Sequence, residues 1–398
     1  MNGPAVTGPF VLGTALAERE QVGLLRNRIA TDGASGGRLR VAGREYFNFS
    51  ANDYLGLADH GAIKAAFKAG IERYGAGSGA SPLVTGYSRA HQELEETLAE
   101  WLGVEAVLLF NCGFSANQAV LKALLGKEHL LWQDKLNHAS LQEMGSQLPC
   151  KMKRFAHNEM AALERQLEPN RGLIVSEGVF SMDGDQAPWG ELAALAARSG
   201  NWLMIDDAHG LGVLGPEGRG TLAAQGVPPA SVHIQMGTFG KALGVAGAFV
   251  GGSRELVQYL VNFARHYVYS THMPAAQACA VSKSIELVRA ANEARVHLAR
   301  LIARFRQGAQ TLGWQLGASD TPIQPLLVGE SRAALQLAER LRECGVWVSA
   351  IRPPTVPVGT ARLRITLSAA HREQDVDCLL DALGVCPAVT TLGEAHYG

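Results

Sequence analysis

Short apolar runs alternate with helical repeats through the middle of the chain, from Val104 to Asp207. The runs EAVLLF, HLLWQ, GLIVSEG and NWLMIDD are separated by amphipathic stretches such as SANQAVLKALL and WGELAALAARSG. Strands that lack polar alternation are buried on both faces, and crossover helices between them make neighbouring strands parallel. The pattern predicts an α/β fold with a mostly parallel central sheet sandwiched by helices.

Helical and strand patterns also precede this region. Residues 15–31 carry Leu and Val at helical spacing and predict an amphipathic N-terminal helix that packs as an arm. Residues 38–57 alternate like a short hairpin, and residues 61–73 and 88–102 predict helices, the second with Ser88 as a candidate N-cap. Between these helices, YGAGSGASPLVTGYS predicts a long glycine-rich loop.

The last part of the chain predicts a second, smaller unit. Residues 254–264 and 273–311 look helical, the latter as a long connector, and strands IQPLLVG, VWVSAI and ARLRITLS follow with two further helices. We expect an N-terminal arm over 1–45, a large cofactor-binding domain over 46–290 and a smaller C-terminal α+β domain over 291–398. No low-complexity linker separates them, so the domains should be packed together.

Composition and charge narrow the expected function. The chain has 398 residues, 47% of them hydrophobic, and a net charge of -1. This balance gives no electrostatic attraction for nucleic acid or an anionic membrane, so small molecules are the expected ligands. The sequence shows no signal peptide pattern and no apolar run of membrane-spanning length. Its six cysteines form no CxxC pair, which favours neither zinc nor disulfides, and we expect a cytoplasmic protein.

A GxGxxG motif at residues 210–215 suggests dinucleotide binding, but its surroundings do not fit. Such a site needs a helix directly after the glycines and an acidic residue about twenty residues later. Pro216 and Gly218 oppose the helix, and position 235 is Gln. The sequence also lacks HExxH, Walker lysine and GxSxG motifs. These absences disfavour dehydrogenase, metal, nucleotide and serine-hydrolase chemistry.

One lysine stands in an unusually uncharged segment. Lys241 is the only Asp, Glu, Lys or Arg between Arg219 and Arg254, although the chain is 18% charged and such an interval would be expected to hold about six charges. Apolar surroundings disfavour the ammonium form, so this amine should titrate low enough to act as a nucleophile and form a Schiff base. The alternative is a surface lysine whose stem packs while its amine reaches water.

Polar residues follow the predicted strands, at the sheet edge where ligands bind in such folds. Asp206 ends a buried strand, and a buried carboxylate needs a cation such as a protonated pyridine nitrogen. An Asp partner with a Schiff-base lysine is the arrangement of pyridoxal 5'-phosphate enzymes, although a helix cap or a structural ion pair would also explain Asp206. The strand-end residues are Asn111, Cys112, Gly113, Asp134, His138, Ser176, Glu177, Ser181, Asp206, Asp207 and His209.

Three further features favour the same cofactor. The stretch NCGFS at 111–115 would open a helix whose free N–H groups receive a phosphate, although an ordinary strand-to-helix turn gives the same pattern. His209 could hydrogen-bond a phenolic oxygen of the ring. His138 could stack on the ring or could instead be a core or capping histidine. Together with Lys241 and Asp206, these residues favour a cofactor site.

The chain resembles the α-oxoamine synthases, fold-type-I aminotransferase-like pyridoxal phosphate enzymes, in SANDYLGL, HQELEETLAEWLG, LNHASL, EGVFSMDGD, IDDAHGLGVLG, TFGKALG and IRPPTVPVGTARLRITL. The resemblance covers about Ala15 to Leu383. It implies decarboxylative condensation of an amino acid with an acyl thioester, in a homodimer with its active site at the interface. The motifs LLRNR, FAHNEM and IRPPTVPVGTARLR are similar to the branch that uses L-alanine and pimeloyl-CoA or a pimeloyl carrier protein, rather than glycine or serine.

The resemblance also implies residue roles. Lys241 would form the Schiff base and then act as the base on Cα, while Asp206 would pair with the pyridinium nitrogen. His209 would contact the ring oxygen, and His138 would stack on the ring. The other implied cofactor contacts are Gly113, Phe114, Ser181 and Thr238, with Ser270 and Thr271 reaching the phosphate in the partner subunit. The implied substrate contacts are Arg364 on the amino acid carboxylate, Arg26 and Thr355 on the acyl group, Asn52 and His138.

One loop departs from the family pattern. The stretch GSGASPLVTG has Ala80, Pro82 and Leu83 where relatives show a glycine and a basic or imidazole side chain. This departure concerns how the loop meets substrate, and it leaves the implied catalytic residues in place.

Overall fold

The computed structural model describes residue 10, residues 12–33 and residues 36–386. The remaining parts of the predicted arm and C-terminal domain, at 1–9, 11, 34–35 and 387–398, lie outside the described residues. The prediction of one helix over 15–31 is wrong in its extent, because α1 covers Leu12–Gln21 and buries none of its residues. It stops there because Gly23 adopts a φ of 68°, the left-handed conformation that commonly ends a helix.

The predicted hairpin and the two helices after it are confirmed. Strand β1 pairs antiparallel with β2, and the second helix is capped by Ser88, whose side chain and that of His91 form a capping box. The glycine-rich loop between the helices contains one π-helical turn, Pro82–Gly86. The elements are β1 (Arg38–Val41), β2 (Arg44–Asn48), α2 (Gly61–Tyr74) and α3 (Arg89–Leu102).

A seven-stranded, mostly parallel sheet forms the centre of the molecule, as the apolar runs predict. Its strands are β3 (Ala106–Phe110), β4 (Leu130–Asp134), β5 (Lys151–Phe155), β6 (Gly172–Glu177), β7 (Trp202–Asp206), β8 (Ile234–Thr238) and β9 (Ala248–Gly252). They lie in the order β3-β9-β8-β7-β6-β4-β5. Only β9 runs against its neighbours, so the carboxyl ends of the other six strands share one edge.

Both faces of this sheet are buried. In β6, Leu173 and Val175 belong to an apolar core on one face, while Ile174 belongs to a second core on the other. Side chains of a strand alternate between faces, so a strand with no polar face needs cover on both sides. The covering and connecting helices are α4 (Gly113–Leu124), α5 (Ala139–Gln147), α6 (Met160–Glu164), α7 (Trp189–Ser199), α8 (Thr221–Ala224), α9 (Arg254–Phe263) and α10 (Arg265–Val268).

The predicted connector over 273–311 is two helices, since the chain breaks at Ala291, which takes a non-helical ψ of 34°. A three-stranded antiparallel sheet in the order β10-β13-β12 follows. The predicted strand VWVSAI is divided: β11 pairs with β2 of the N-terminal hairpin, and β12 pairs with β13. These elements are α11 (Ala275–Ala290), α12 (Asn292–Thr311), β10 (Ile323–Gly329), α13 (Ser331–Glu343), β11 (Val346–Trp347), β12 (Ser349–Ile351), β13 (Ala361–Thr366) and α14 (Glu373–Gly384).

The small sheet contacts the carboxyl edge of the large one. Arg362 in β13 forms an ion pair of 2.6 Å with Asp183, in the loop that follows β6. Its neighbour on the same strand, Arg364, donates to the backbone oxygen of Ser181 in that loop. None of the helices within the described ranges combines the length and apolarity needed to cross a bilayer.

Candidate active site

Neighbouring strands deliver the predicted polar residues to one edge of the central sheet. Asp206 ends β7 and Glu177 ends β6, and these two residues are paired in register. Strand β8 ends at Thr238, and Lys241 lies in the turn between β8 and β9. The apolar strand pattern therefore brings the lysine, the carboxylates and the hydroxyl group into one cleft.

Lys241 is hydrogen-bonded to a neutral histidine. Its Nζ lies 2.7 Å from His209 Nε2, and His209 Nδ1 lies 2.6 Å from the hydroxyl of Tyr54. Burial lowers the pKa of Lys241 to about 8, against the opposing attraction of Asp206 and Glu177. Burial, Lys241 and Arg364 hold the pKa of His209 well below its usual range. A lysine that is partly neutral near physiological pH can act as a nucleophile and as a base.

Asp206 is a buried carboxylate without a protein cation. It is 4% exposed, and it accepts hydrogen bonds from Asn117 Nδ2 at 2.7 Å and from the Ala208 N–H at 3.1 Å. It forms no ion pair with any residue in the described part of the chain. A buried carboxylate remains ionised at low free energy only beside a cation. The protonated ring nitrogen of pyridoxal 5'-phosphate supplies such a cation, so this position fits the predicted cofactor.

Glu177 differs from its neighbour Asp206. Burial and the charge of Asp206 raise the pKa of Glu177 well above its usual range. Its Oε1 has no hydrogen-bond partner among the described residues. Burial together with the nearby carboxylate of Asp206 thus disfavours the ionised form of Glu177, because like charges in a dry site repel strongly.

The start of α4, where the sequence predicts phosphate binding, lies near Thr238 and the loop that carries Lys241. Helix α4 begins at Gly113, where a Cβ would lie 3.9 Å from Thr238 Cβ, so the helix start and the lysine loop are adjacent. Free N–H groups at the first turn of a twelve-residue helix attract a phosphate. The Thr238 hydroxyl donates to the Gly247 oxygen at 2.8 Å and must rotate before it can donate to a ligand.

His138 is a capping histidine, one of the alternatives that the sequence leaves open, and its stacking on the cofactor ring stays a prediction. Its Nδ1 caps α5 by accepting from the Ser140 N–H at 3.2 Å, while its ring remains exposed to solvent. The ring of Phe114 stands edge-on to it, with 6.3 Å between centroids. Burial of neighbouring atoms lowers the pKa of His138, so a neutral imidazole lines the cleft above Asp206.

Arg364 reaches the cleft from the small sheet. It is buried, its Nε donates to the Ser181 oxygen at 2.6 Å, and its Nη1 donates to Asn52 Oδ1 and Thr366 Oγ1, both at 3.0 Å. The guanidinium also interacts with the hydroxyl of Tyr54. A guanidinium held in a fixed orientation at the edge of the cleft is suited to bind a carboxylate.

Two residues far apart in sequence meet where the N-terminal arm contacts the loop before β13. Arg26 Nη2 donates to Thr355 Oγ1 at 3.1 Å, and Arg352 donates to the Gly23 oxygen. The arm is therefore bound to the loop before β13. The pair Arg26 and Thr355, which the sequence assigns to the acyl substrate, is brought together by these contacts.

Thr271 lies beside Asn111, which follows the carboxyl end of β3. The Thr271 oxygen accepts from Asn111 Nδ2 at 2.7 Å, and Thr271 itself is exposed. The predicted contact of Ser270 and Thr271 with a partner subunit stays a prediction.

Sequence reasoning missed Tyr54 and Asn117. Tyr54 lies within SANDYLGL, which carried a family resemblance but no stated role for this residue. Asn117 is a polar residue on the buried face of α4, four residues after Gly113. A polar side chain at an otherwise apolar helical position is a signal that could have identified it.

Comparisons with known proteins agree with this geometry. The family model described as aminotransferase class I and II matches residues 44–383. An 8-amino-7-oxononanoate synthase from Aeromonas hydrophila subsp. hydrophila is 87% identical over 396 residues, with 100% of this chain and 100% of the relative covered.

Two solved structures share the fold. A serine palmitoyltransferase from Sphingomonas wittichii has a TM-score of 0.89 and 28% identity, covering 96% of this chain and 97% of that one. A serine palmitoyltransferase from S. paucimobilis, with a PLP-myriocin aldimine bound, has a TM-score of 0.88 and 26% identity, covering 94% and 96%.

Proposed function

The chain belongs to the 8-amino-7-oxononanoate synthases, within the class I and II aminotransferase family, and from this premise we propose how its own residues carry out the reaction. The enzyme condenses L-alanine with a pimeloyl thioester to give 8-amino-7-oxononanoate, carbon dioxide and the free thiol, a step of biotin biosynthesis. Its cofactor is pyridoxal 5'-phosphate. The observation that supports the residue roles best is a lysine amine 2.7 Å from a neutral histidine, beside a buried Asp206 that lacks a protein cation.

The cofactor, when bound, supplies a protonated pyridine ring that withdraws electrons from the Cα atom of the amino acid. Asp206 would keep the ring nitrogen protonated, and Lys241 would hold the aldehyde carbon through its Nζ. His209 would donate to the ring oxygen, since its Nε2 faces Lys241 Nζ. The first N–H groups of α4 near Gly113, together with Ser181 and Thr238, would bind the remaining polar atoms.

Lys241 would move the proton that starts the carbon–carbon bond. With the amino acid bound, the amine of Lys241 would have to be neutral to remove the Cα proton. Its pKa of about 8 keeps a useful fraction neutral near pH 7. His209, whose Nε2 is hydrogen-bonded to Lys241 Nζ, would hold that amine in position. His138 would cover the opposite face and exclude water from the carbanion.

Arg364 would bind the carboxylate of L-alanine. Its Nε and Nη1 are fixed by Ser181, Asn52 and Thr366, so the guanidinium keeps a defined direction. Holding the carboxylate orients the Cα–H bond towards Lys241, and this positioning accounts for much of the rate in reactions of this type. Arg26 and Thr355 would meet the acyl substrate.

The larger assembly belongs to the same proposal. We propose a cytoplasmic homodimer with the active site at its interface, which takes its acyl group from CoA or a carrier protein. Exposed aromatic side chains at Phe263 and Tyr269, 59% and 70% accessible, lie close in sequence to Ser270 and Thr271 and support an interface there. The break between α11 and α12 at Ala291 supports the proposed division between large and small domains at 290 and 291.

A substrate panel tests the proposed function. Purified enzyme loaded with cofactor is mixed with pimeloyl-CoA and L-alanine, glycine or L-serine, and free thiol and ketone product are measured. Turnover should require L-alanine, and Lys241→Ala should lose it while keeping the fold by circular dichroism. Faster product formation with serine or glycine would overturn the assignment in favour of the sister enzymes that the structural neighbours represent.

A further inference from the structure

A carboxylate–histidine–carboxylate cluster lies beside the active site, outside the residues assigned above. His157 Nδ1 is 2.9 Å from Asp134 Oδ1, and its Nε2 is 2.7 Å from Asp185 Oδ2. Asp134 ends β4, His157 follows β5, and Asp185 lies in the loop after β6. One imidazole therefore connects the loops that leave three neighbouring strands.

The imidazole of this cluster is charged. Burial alone would lower the pKa of His157, but the hydrogen bonds to Asp134 and Asp185 raise it to about 10. Both ring nitrogens then donate, one to each carboxylate, which a neutral imidazole cannot do. Because Asp134 is fully buried, removal of its cationic partner would leave an uncompensated buried charge.

His157 fixes the turn that carries Ser181. Its ring packs edge-on against Phe180 with 4.4 Å between centroids, and its Nε2 binds Asp185 at the other end of the turn. Two backbone hydrogen bonds close the turn. The Phe180 N–H donates to the backbone oxygen of Asp185 at 2.9 Å, and the Gly184 N–H donates to the backbone oxygen of Phe180 at 2.8 Å. Ser181 lies between these two attachment points, and its oxygen accepts from Arg364 Nε at 2.6 Å.

Asp134 anchors the other side of the cluster. It accepts from the Leu136 N–H at 2.8 Å and from the Asn158 N–H at 2.9 Å, and Asn158 Nδ2 donates in turn to Asp185 at 3.1 Å. The turn that holds Arg364 is thus connected to a rigid strand end, independently of the Asp183–Arg362 ion pair.

We propose that His157 is a positioning residue for the amino acid substrate: its bridge between Asp134 and Asp185 holds the Ser181 carbonyl in place, and that carbonyl aims Arg364 at the substrate carboxylate. This inference rests on the proposed role of Arg364. It assigns His157 no contact with substrate or cofactor.

The substitution His157→Gln tests the inference, because it removes the charge and the simultaneous bonds to both carboxylates. The KM for L-alanine should rise about tenfold, as expected when a positioning contact is lost, with kcat changed by less than about threefold. The KM for the acyl thioester and the Kd for the cofactor should stay within about twofold. Asp185→Asn is the second variant in case His157→Gln fails to fold, because it leaves Asp134 paired with His157 and changes a partly exposed residue. It should also raise the KM for L-alanine.

Lys153→Gln is the matched control. Lys153 is on the same strand β5 and forms an ion pair with Glu168 at 2.8 Å, but it has no connection to the Ser181 turn. Its loss should leave all the constants unchanged. The inference would be overturned if the KM values of both substrates rose equally, or if kcat fell as much as the KM for L-alanine rose. An unchanged KM for L-alanine in a folded variant would also overturn it.

A double substitution separates this inference from the proposed function. Arg364→Lys should itself raise the KM for L-alanine, and His157→Gln should add little in that background because both act on one contact. If Arg364→Lys leaves L-alanine binding intact, the proposed clamp is wrong. If Arg364→Lys weakens binding but His157→Gln does not, the inference about His157 alone is wrong.

Hydrogen–deuterium exchange on the protein without cofactor gives a readout that does not depend on activity. Backbone amides at 180–185 should exchange faster in His157→Gln than in the unsubstituted protein, since the turn loses the two contacts that His157 makes with Phe180 and Asp185. Unchanged exchange at this turn would contradict the proposal.

Discussion

The hydrogen-bonded row of Tyr54, His209 and Lys241 determines which protonation states the site can use. His209 is neutral, so one ring nitrogen donates and the other accepts. A change of protonation at Lys241 Nζ, 2.7 Å away, must therefore be matched by the tautomer of His209 and the hydroxyl of Tyr54, 2.6 Å away. Because His209 is neutral, a protonated Lys241 does not stand beside a second cation.

The reactivity of Lys241 should follow its lowered pKa. Burial lowers this pKa to about 8, so the neutral amine accumulates as pH rises through 8, whereas an ordinary lysine needs a pH near 10.4. In protein without cofactor, reductive labelling of Lys241 by a small aromatic aldehyde should reach half its maximal initial rate near pH 8. Peptide mass mapping gives the rate for each lysine. A rate for Lys241 that keeps rising to pH 10, as surface lysines do, would contradict the prediction.

Single residues were predictable where their chemistry stands out in sequence. Lys241 is identified by the absence of other charges around it, and Asp206 by its place at the end of an apolar run. Asn117 and Tyr54 were not, because their roles depend on tertiary contacts: Asn117 reaches Asp206 only across the helix–sheet interface. Nothing in the local pattern specifies which strand end a helix side chain will meet.

At the scale of elements, the first glycine of the rejected GxGxxG motif, Gly210, packs against the same carboxylate as two glycines outside the motif. A Cβ on Gly178, Gly210 or Gly220 would lie 2.1, 2.2 or 1.9 Å from a carboxylate oxygen of Asp207. Asp207 is buried and accepts from the N–H and hydroxyl of Thr221 at 2.8 and 2.6 Å. These glycines make room for a buried carboxyl group that fixes the loop after β7.

Gly220→Ala should therefore destabilise the protein more than an ordinary glycine substitution. Gly220 has a φ of 94° and lies against Asp207, whereas Gly226 has a φ of 68° with nothing within 4 Å of a Cβ. Gly226→Ala should lower the free energy of unfolding by about 1 kcal/mol through backbone strain. Gly220→Ala should lower it by roughly 2 kcal/mol more, because the added carbon displaces Asp207. Urea denaturation measures both, and equal losses would show that Asp207 moves aside freely.

The sequence predicts which segments are strands or helices better than it predicts where those elements are interrupted. The apolar runs specified the central sheet because burial on both faces leaves a strong composition signal. The break at Ala291 and the division of VWVSAI between two sheets were not predictable, since no proline or glycine marks either position. Pairing of β11 with β2 brings together segments about 300 residues apart, and local periodicity carries no information about such pairings.

At the scale of the whole molecule, the two ends of the described chain are joined to each other. The N-terminal hairpin extends to β11 in the C-terminal region, and the arm is held by Arg352 and by the Arg26–Thr355 contact. These contacts attach the arm to the loop before β13, although α1 itself buries none of its residues. We propose that these joined segments, which carry Arg26 and Thr355, meet the acyl substrate.

This arrangement predicts separate effects on the two substrates. Arg26→Gln removes a charged donor to Thr355, so the KM for the pimeloyl thioester should rise about tenfold, the loss expected for one charge-assisted hydrogen bond. The KM for L-alanine should not change, because Arg364 lies deeper in the cleft and keeps its contacts with Ser181 and Asn52.

Arg28→Gln is the control for this prediction, since it makes the same change of charge two residues further along the exposed arm. Steady-state kinetics with each substrate varied in turn gives both constants for both variants. If Arg28→Gln weakened the acyl substrate as much as Arg26→Gln, the effect would come from the overall positive charge of the arm. A rise in the KM for L-alanine in Arg26→Gln would instead mean that the arm positions the deeper site. We expect neither result, because the predicted effect depends on a single contact, the 3.1 Å hydrogen bond from the Arg26 guanidinium to the Thr355 hydroxyl.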